Sequence, residues 1–399
     1  MRTSCFAICS LAALLFAATS CNKSRKGVVL IDPDQSVPVV LEDVACDFKV
    51  IPLKSDGPIP ASTFFYFFDD YFFTTDLDVS YTFTKVSVFD RQGNYLGTID
   101  KHGRGRNEYL QLVNYVYHAD SQQLYLYDMG PDNFSQSTVF KFQLPQLEFL
   151  GTHYPETMLS TNQIIHLGDG RSLMSAGADN NTCNLRIVQF LPDTVIGHKE
   201  YGEFGWNMIS PTFYKVQFTN KSNPLVATFG YENNIYSFDD SDSLKPEFSF
   251  TFGLKGLPES YASQQNVLGP YLSVISHELA EYMQDGSAII YDAPVKNGNL
   301  LSFMYYWDDV FGSSEGFRHF YLTDGRKSAD YSELKIPGLK FNSRPRLEGV
   351  NGTSYVFLIE DAQVDASAPM SPLGQQIIDA LRSQNDNNPI LLQFRFKEL

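Results

Sequence analysis

One stretch, Val86–Tyr109, constrains the fold more than any other part of the chain. It reads VSVFDRQGNYLGTIDKHGRGRNEY, which is an alternating strand, a tight turn at Arg91–Asn94, a second strand and a glycine-rich basic loop. Alternation of apolar and polar residues indicates a strand with one buried face, and a short glycine-containing turn between two such strands indicates a hairpin. The stretch therefore predicts an antiparallel hairpin followed by a loop.

The same order of strand, turn and strand recurs, in degraded form, along most of the chain. Further strands are predicted at Gln123–Asp128, Thr138–Phe142, Leu147–Gly151, Ile164–Met174, Leu185–Leu191, Thr194–Lys199, Leu225–Phe229, Asn234–Phe238, Phe248–Phe252, Ala288–Ala293, Leu301–Trp307, Phe317–Leu322, Arg346–Val350 and Tyr355–Ile359. The spacing, about 40 to 50 residues for each unit, is typical of propeller blades. So many strands with so few helices exceed what a two-sheet sandwich holds, whereas radial blades bury each sheet against its neighbours. We therefore predict an all-β fold: a single β-propeller with six blades of four-stranded antiparallel sheet.

The C-terminal region predicts how the ring of blades closes. Ser371 and Pro372 open a short helix by cap and first-turn preferences, and Ile390–Phe396 is then a terminal strand. In a propeller the last strand usually pairs in a blade begun by the N-terminus, which removes an exposed edge. We expect this strand and the Cys46–Leu53 region to share one blade. Two shorter helices are predicted at Pro258–Val267 and Ser276–Met283.

An aromatic run, FFYFFDDYFF at Phe64–Phe73, surrounds the pair Asp69 and Asp70. A continuous rather than alternating aromatic run is typical of a hairpin that is buried on both faces. The alternative is an aromatic platform on which a sugar stacks. We predict a core hairpin.

The first 21 residues resemble a secretory signal peptide. Arg2 supplies the positive start, and Phe6–Ala18 is an apolar run too short to span a membrane comfortably. The small residues Ala18–Ser20 precede Cys21 as in a relaxed bacterial lipobox, in which the cysteine is lipidated and becomes the first residue of the mature protein. The alternative is an ordinary secreted protein that is cut nearby.

Cysteine count and charge limit the kinds of site and partner. After removal of the signal and lipidation of Cys21, only Cys46 and Cys183 remain, so that at most one disulfide can form and a four-cysteine zinc site is excluded. The core must be held by apolar burial, for which 43% hydrophobic and 14% aromatic residues are ample. The formal net charge is −16, which disfavours nucleic acid as a partner because its phosphates would be repelled.

A family likeness rests on the opening stretch. VFDRQGNYLGTIDKHGRGRNEY resembles the "vFd.dGkflg.ig..GkGPgEy" signature of the six-bladed β-propeller lipoproteins of Bacteroidetes, which are distantly similar to NHL-repeat and TolB-type propellers. Ile51–Leu53 and Asn388–Leu392 resemble the family's IPL and NPvL segments. The chain departs from the family at Arg106 and Asn107, where the family usually has Pro-Gly. Most members have no assigned activity, so the resemblance implies a fold and a cellular address rather than a function.

We divide the chain into a signal peptide with its lipobox cysteine (1–21), a tether with an extended N-terminal segment (22–45) and the propeller (46–399). The tether opens with the polar residues Asn22–Gly27, which include basic rather than acidic side chains after the cysteine. An acidic cluster there sends some Bacteroidetes lipoproteins to the outer face. Its replacement by basic residues favours an anchor in the bacterial outer membrane that faces the periplasm.

The loop HGRGRNE has three alternative roles. A phosphate loop would need a Walker-type lysine and a following helix, and neither is present. A structural corner is favoured, because Gly103 and Gly105 permit positive φ and Glu108 could pair with a neighbouring arginine. A ligand or partner contact is the remaining alternative, since arginine suits carboxylate and sulfate groups. The candidate contact residues of the loop are His102, Arg104, Arg106 and Glu108.

Two partial matches to catalytic motifs fail on context. His277–Glu281 (HELAE) lacks the second histidine of a zinc-binding HExxH helix. Ser314 lies in GSSEG, which matches GxSxG, but a predicted strand follows where a nucleophile elbow needs a helix. We identify no catalytic residue, no metal site and no cofactor.

The two tryptophans, Trp206 and Trp307, lie beside polar residues near predicted loops and are further candidates for ligand contact. Stacking plus hydrogen bonds is how a sugar site is often built, while ordinary packing at a blade end is the alternative. Calcium is conceivable at two acidic runs, but neither has the spacing of an EF-hand loop. These runs, interpreted as solvated turns, are Asp128 with Asp132 and Asn133, and Asp239, Asp240 and Asp242.

Three hypotheses for function remain. The first is a non-catalytic, lipid-anchored propeller that binds an envelope protein, peptide or glycan on one face. The second is a metal-dependent hydrolase or lyase, using calcium, with its site in the central channel. The third is a structural subunit of an outer-membrane assembly. We favour the first, because the sequence contains no complete catalytic set.

Overall fold

The computed structural model describes residues 27–399 except 56, 60–63, 69, 78–82, 111, 129–137, 155–160, 169–170, 179–181, 192–193, 206–215, 219–224, 229–232, 239–243, 257–289, 308–318 and 385–387. Several sequence-based predictions lie outside the described residues. They are the lipid site at Cys21, the contact residue Trp206, the helices at 258–267 and 276–283, the motifs at 277–281 and 312–316, and the acidic residues Asp132, Asn133, Asp239, Asp240 and Asp242.

Six antiparallel sheets of four strands form the blades, as predicted. Blade 1 consists of Phe64–Phe67, Tyr71–Leu77, Phe83–Asp90 and Tyr95–Ile99, and blade 2 of Leu112–His118, Gln123–Asp128, Thr138–Gln143 and Glu148–His153. Blade 3 consists of Thr161–Gly168, Arg171–Ala178, Thr182–Leu191 and Thr194–Gly205, and blade 4 of Val216–Phe218, Leu225–Thr228, Asn233–Phe238 and Leu244–Thr251. Blade 5 consists of Ile290–Asn297, Leu300–Tyr306, His319–Thr323 and Ser328–Lys335, and blade 6 of Arg346–Asn351, Ser354–Ile359, Ile390–Phe396 and Ala45–Pro52. Neighbouring blades contact one another in chain order, and the first strand of blade 6 contacts the first strand of blade 1. The six blades therefore form a closed ring.

The ring closes within blade 6. The C-terminal strand Ile390–Phe396 pairs antiparallel with Ala45–Pro52, with Ile390 opposite Pro52 and Phe396 opposite Ala45. One end of the chain thus supplies the third strand of this blade and the other end supplies its outermost strand. The predicted closure is confirmed.

The segment before Ala45 is extended, as its sequence predicts, and it also joins the propeller by pairings that the sequence did not predict. Val29–Leu30 pairs in parallel with the outermost strand of blade 4, and Val37–Val40 pairs in parallel with the outermost strand of blade 5. Between them lies the 3₁₀ turn Pro33–Gln35, and the one-turn helix Leu41–Val44 follows. We call residues 29–44 the N-terminal strap, because they run along the outer edge of two blades.

The aromatic hairpin of blade 1 is buried on both faces, as predicted. On one face, Phe65 and Phe72 pack with Val356 and Leu391 of blade 6. On the other face, Phe73 belongs to a core shared with blade 2. Since successive residues of a strand point to opposite faces, a continuous aromatic run can fill both blade interfaces at once.

The predicted C-terminal helix is Pro372–Arg382. The Ser371 hydroxyl accepts a hydrogen bond from the Gly374 N–H at 3.0 Å, which caps the first turn. Leu373 and Ile377 are buried in the core that the helix shares with blades 5 and 6. The remaining elements are the 3₁₀ turn Gly253–Lys255 and the paired short strands Leu339–Lys340 and Gln363–Val364. Across the part of the chain that the structure describes, no helix has the length and apolar character needed to cross a bilayer.

Candidate functional site

The predicted contact residues that the structure describes belong to connections that leave the blades at one end. Strands alternate in direction within a blade, so the connections after the second and the fourth strands emerge at the same end, which we call the loop face. The loop 100–109 follows the fourth strand of blade 1, and Trp307 follows the second strand of blade 5. Topology thus assigns these two connections to the loop face. Trp206 lies outside the described residues.

Tyr109 fixes the base of loop 100–109, which we call the basic loop. Its side chain is fully buried against Phe140 of blade 2, with the ring centroids 5.6 Å apart. The Tyr109 hydroxyl donates to the Ile99 carbonyl at 3.1 Å and accepts from the Lys101 N–H at 3.2 Å. Burial raises the pKa of this hydroxyl to about 12, so that it stays protonated as a donor at neutral pH.

Glu108 turns back into the basic loop and closes it from inside. Its Oε2 accepts a hydrogen bond from the Gly105 N–H at 2.6 Å. A Cβ added at Gly103 would lie 2.0 Å from the same oxygen, so a larger residue there would displace the carboxylate from this position. The Gly103 N–H donates to the Tyr109 carbonyl at 3.0 Å. The loop therefore forms a corner, but not for the predicted reasons. Glu108 bonds to backbone and not to an arginine, and neither Gly103 nor Gly105 has a positive φ.

The departure from the family pattern is accommodated in this corner. Asn107 has a φ of +68°, in the left-handed region where glycine is the usual residue. Asparagine tolerates that region better than other non-glycine residues. Asn107 therefore adopts a backbone conformation that the glycine of Pro-Gly would also allow.

The basic loop directs its charged side chains outward. His102, Arg104 and Arg106 are all exposed. Lys101 points instead toward blade 2, where its Nζ lies 4.5 Å from the centroid of the Phe149 ring. The loop consequently joins two blades through Lys101 and Tyr109 while it presents two arginines and a histidine to solvent.

Trp307 makes its contacts with other parts of the propeller. The Lys255 Nζ lies 5.1 Å from the centroid of its ring, and the His319 ring stands edge-on to it at 6.1 Å. Lys255 also forms ion pairs with Asp32, at 2.6 Å, and with Asp34 of the N-terminal strap. The hydrogen bond from Lys255 lowers the pKa of the Asp32 carboxyl below its usual range. Trp307 therefore supports the lysine that holds the strap at the junction of blades 4 and 5.

A buried titratable pair lies at the same junction and was not foreseen. The Tyr305 hydroxyl donates to Asp330 Oδ1 at 2.7 Å. Burial raises the pKa of the Asp330 carboxyl to about 7, and the negative charge of Asp32 acts in the same direction. Ser36 of the strap lies 3.4 Å from His319 Nδ1, next to Tyr305. No local pattern signals this pair, because it depends on strand register and burial.

The described acidic residues have structural contacts rather than metal-site geometry. Asp128 is 5% exposed, and its Oδ1 accepts a hydrogen bond from the Leu110 N–H at 3.1 Å. Within the described ranges, no three His, Cys, Asp or Glu side chains are grouped so that they could hold a metal ion.

Comparison with known proteins follows from this fold. Residues 20–267 match the model of a family, DUF5128, that is described as a 6-bladed beta-propeller. The chain belongs to this family of 6-bladed propellers. The crystal structure of an exported-protein candidate from Bacteroides fragilis is similar to this chain. The TM-score is 0.60 and the sequence identity is 16%, over 91% of this chain and 98% of that one. At that identity the likeness shows the fold alone.

Other propellers are more distant from this family member. The propeller domain of Cps50 (Swd1) from Myceliophteria thermophila gives a TM-score of 0.40 at 8% identity, over 78% of this chain and 95% of that one. The propeller domain of the Trilobed protease from Pyrococcus furiosus gives a TM-score of 0.36 at 10% identity, over 74% of this chain and 79% of that one. These two weaker likenesses carry no argument about this chain. A comparison with curated proteins finds no match.

Proposed function

We propose that this protein is an exported, lipid-anchored propeller that binds a partner at the bacterial cell envelope through its basic loop, without catalysing a reaction. The observation that supports it is the pairing of a fixed loop base with exposed cationic side chains. Tyr109 and Glu108 hold the backbone, while Arg104 and Arg106 extend into solvent. A loop that is already ordered loses less conformational entropy on binding than a mobile one.

The charge of the loop indicates the chemistry of the partner. The whole chain has a formal net charge of −16, so two arginines separated by a single glycine are a local exception. The planar guanidinium groups of Arg104 and Arg106 can each donate paired hydrogen bonds to a carboxylate or a sulfate. The partner is therefore an envelope protein, peptide or glycan that presents acidic groups to the loop face.

The anchor rests on the N-terminal sequence. Residues 1–21 have the order of a signal peptide that ends at Cys21, and the likeness to an exported-protein candidate from Bacteroides agrees with export. From Cys21 to the start of the strap at Val29 there are eight residue steps, which reach roughly 28 Å when fully extended. A lipid on Cys21 would hold the outer edge of blade 4 close to the bilayer, on the periplasmic side of the outer membrane.

The ring geometry then directs the basic loop away from the anchor. The strap lies on blades 4 and 5, whereas the basic loop joins blades 1 and 2. In a closed ring of six blades those two junctions are opposite each other. An anchored propeller would therefore present the basic loop on the side of the ring remote from the tether.

Replacement of the anchor cysteine tests the cellular location. Cys21→Ser should move the protein from the membrane fraction to the soluble fraction. Cys46→Ser is the matched control, since Cys46 lies in the propeller and is not lipidated in this proposal; it should stay with the membranes. Membrane retention of Cys21→Ser would refute the anchor. Binding itself is tested by capture of envelope components on the detergent-solubilised full chain, and capture of nothing would contradict the proposed function.

A further inference from the structure

A cleft lies between blade 6 and blade 1, at the end of the blades opposite the loop face. It encloses about 420 Å³, which is within the range of roughly 300 to 1,000 Å³ of small-molecule sites. Its walls come from the closing strands Ala45–Pro52 and Ile390–Phe396 and from two turns of blade 1. None of these residues belongs to the basic loop, so the cleft is a separate site.

The floor of the cleft is aromatic and rigid. Phe67, Phe68, Tyr71 and Phe72 line it, at the tip of the hairpin whose remaining rings fill the core. Phe72 is 4% exposed and stacks on Phe89, with ring centroids 5.1 Å apart. Phe67 is only half-buried and packs on the blade 6 side, so part of its ring surface faces the cleft, whereas the rings of Phe68 and Tyr71 pack on Tyr117 of blade 2. Such a surface can pack against the C–H face of a ring-shaped ligand.

The rim of the cleft is cationic and amide-rich. Lys49 and Arg91 are exposed at its edge, and three amide side chains, those of Gln92, Asn351 and Gln393, complete it. Among the described lining residues there is no aspartate or glutamate, although acidic residues outnumber basic ones in the chain by 46 to 30. The charged side chains among the described lining residues are therefore both cations. The carboxylates of Asp70 and Asp90 lie outside this lining, and their charge, after burial, is a further cause of the raised pKa of Tyr71.

The turn that carries Arg91 is held in place by several hydrogen bonds. Asp90 Oδ1 accepts from the Gln92 and Asn94 N–H groups, each at 2.9 Å. The Arg91 N–H donates to the Asp70 carbonyl at 3.1 Å, which ties this turn to the tip of the aromatic hairpin. The backbone that carries Arg91 is thus tied to the hairpin that carries the aromatic floor.

We propose that this cleft binds an anionic sugar residue, a uronate or a sulfated sugar, independently of the basic loop. The sugar ring packs on Phe67, its hydroxyl groups bond to the amides, and its anionic group lies between Lys49 and Arg91. Amides donate and accept at once, which matches the hydroxyl groups of a sugar. An acidic peptide would satisfy the cations but would leave the aromatic floor without a ring to cover.

Titration calorimetry on the detergent-solubilised full chain tests the ligand class. The probes are digalacturonate, a sulfated chondroitin disaccharide, neutral lactose and tetraglutamate. We expect an anionic disaccharide to bind at least about tenfold more tightly than lactose, since one charge-assisted contact corresponds to about that factor. It should also bind more tightly than tetraglutamate, which has no ring to pack on the aromatic floor. Comparable binding of tetraglutamate, or binding of none of the probes at millimolar concentration, would overturn the proposal.

A pair of matched arginine variants locates the binding. Arg91→Ala should weaken binding of the anionic disaccharide about tenfold. Arg326→Ala removes an exposed arginine from the corresponding turn of blade 5 and should leave binding unchanged. Both variants should unfold at the same temperature as the wild type, so that a loss is not due to misfolding. Equal binding by wild type and Arg91→Ala would contradict the site.

Discussion

The junction of blades 1 and 2 and the junction of blades 4 and 5 lie on opposite sides of the ring and use their charged residues differently. At the first junction, Tyr109 and Glu108 close a corner whose bonds are almost all to backbone, and the arginines remain exposed. At the second junction, Lys255 forms ion pairs with Asp32 and Asp34 of the strap. At the first junction Arg104 and Arg106 are exposed to solvent, whereas at the second Lys255 binds the N-terminal strap.

The difference shows which predicted contact residues are accessible to a partner. Trp307 and Arg104 both lie at the loop face and were both candidates. Trp307 is half-buried and contacts Lys255 and His319, so its surface is used within the propeller. Arg104 extends from a corner that is stable without it. The arginines of the basic loop are therefore more accessible to solvent than Trp307.

The largest expected effect is at the base of the basic loop. Tyr109→Ala should lower the free energy of unfolding by about 3–5 kcal/mol, because it leaves a large cavity at a fully buried position. Tyr109→Phe should cost only about 1 kcal/mol, since it removes the hydrogen bonds but keeps the ring. Urea unfolding measures both. Equal losses for the two variants would show that packing at this junction is unimportant.

At the opposite junction, stability should depend on pH through Asp330. Its pKa is about 7 in the folded protein, against an ordinary value of 3.8. Between about pH 4 and pH 7 the folded state keeps a proton that the unfolded state has lost, so this group stabilises the fold below about pH 4 and the contribution is lost as pH rises to 7. The loss is at most about 1.4 kcal/mol for each pH unit.

The Asp330→Asn variant isolates that contribution. Its hydrogen-bond acceptor for Tyr305 is retained, but it cannot ionise. The stability of the wild type relative to the variant should therefore decline from pH 4 to pH 7, as followed by urea unfolding at several pH values. Parallel curves for the two proteins would show that Asp330 has an ordinary pKa.

A smaller effect is expected where Lys255 joins the strap to Trp307. Lys255→Met keeps the length of the side chain and removes two partly exposed ion pairs and a cation–π contact. The free energy of unfolding should fall by about 1 kcal/mol. The control is Lys85→Met, which breaks one exposed ion pair with Asp100 near the other junction and should change stability by less than about 0.5 kcal/mol. A larger loss for the control would reverse the comparison.

The smallest effect on stability is expected for the exposed arginines. Arg104→Ala combined with Arg106→Ala should change the free energy of unfolding by no more than about 0.5 kcal/mol, as is usual for surface substitutions. Thermal unfolding checks this. A loss of 2 kcal/mol or more would mean that these arginines hold the corner themselves.

Local patterns were sufficient to predict most of the fold. Alternation and turn residues identified the strands, the run Phe64–Phe73 identified a hairpin buried on both faces, and Ser371–Pro372 identified the C-terminal helix. The closing pair of Ile390–Phe396 with Ala45–Pro52 also followed, since a ring must remove its edges. Each of these features can be predicted from a short stretch of sequence.

The strap and the cleft could not be predicted in the same way. Val29–Leu30 is only two residues long and pairs with a strand more than 200 positions away, so its sequence has no periodicity to read. The Lys255–Asp32 ion pair has the same separation. For the aromatic hairpin, core packing and a sugar platform were treated as alternatives, whereas the structure buries most of the rings and leaves the tip at a cleft. Such features depend on which blades become neighbours.

The most direct test of the account is a parallel capture experiment with envelope extract on two full-length variants. The combined variant Arg104→Ala and Arg106→Ala should lose the captured partner while it keeps wild-type stability. Lys255→Met should keep the partner although it is less stable. Retention of the partner by the arginine variant, or its loss from Lys255→Met alone, would contradict the claim that the basic loop is the binding surface.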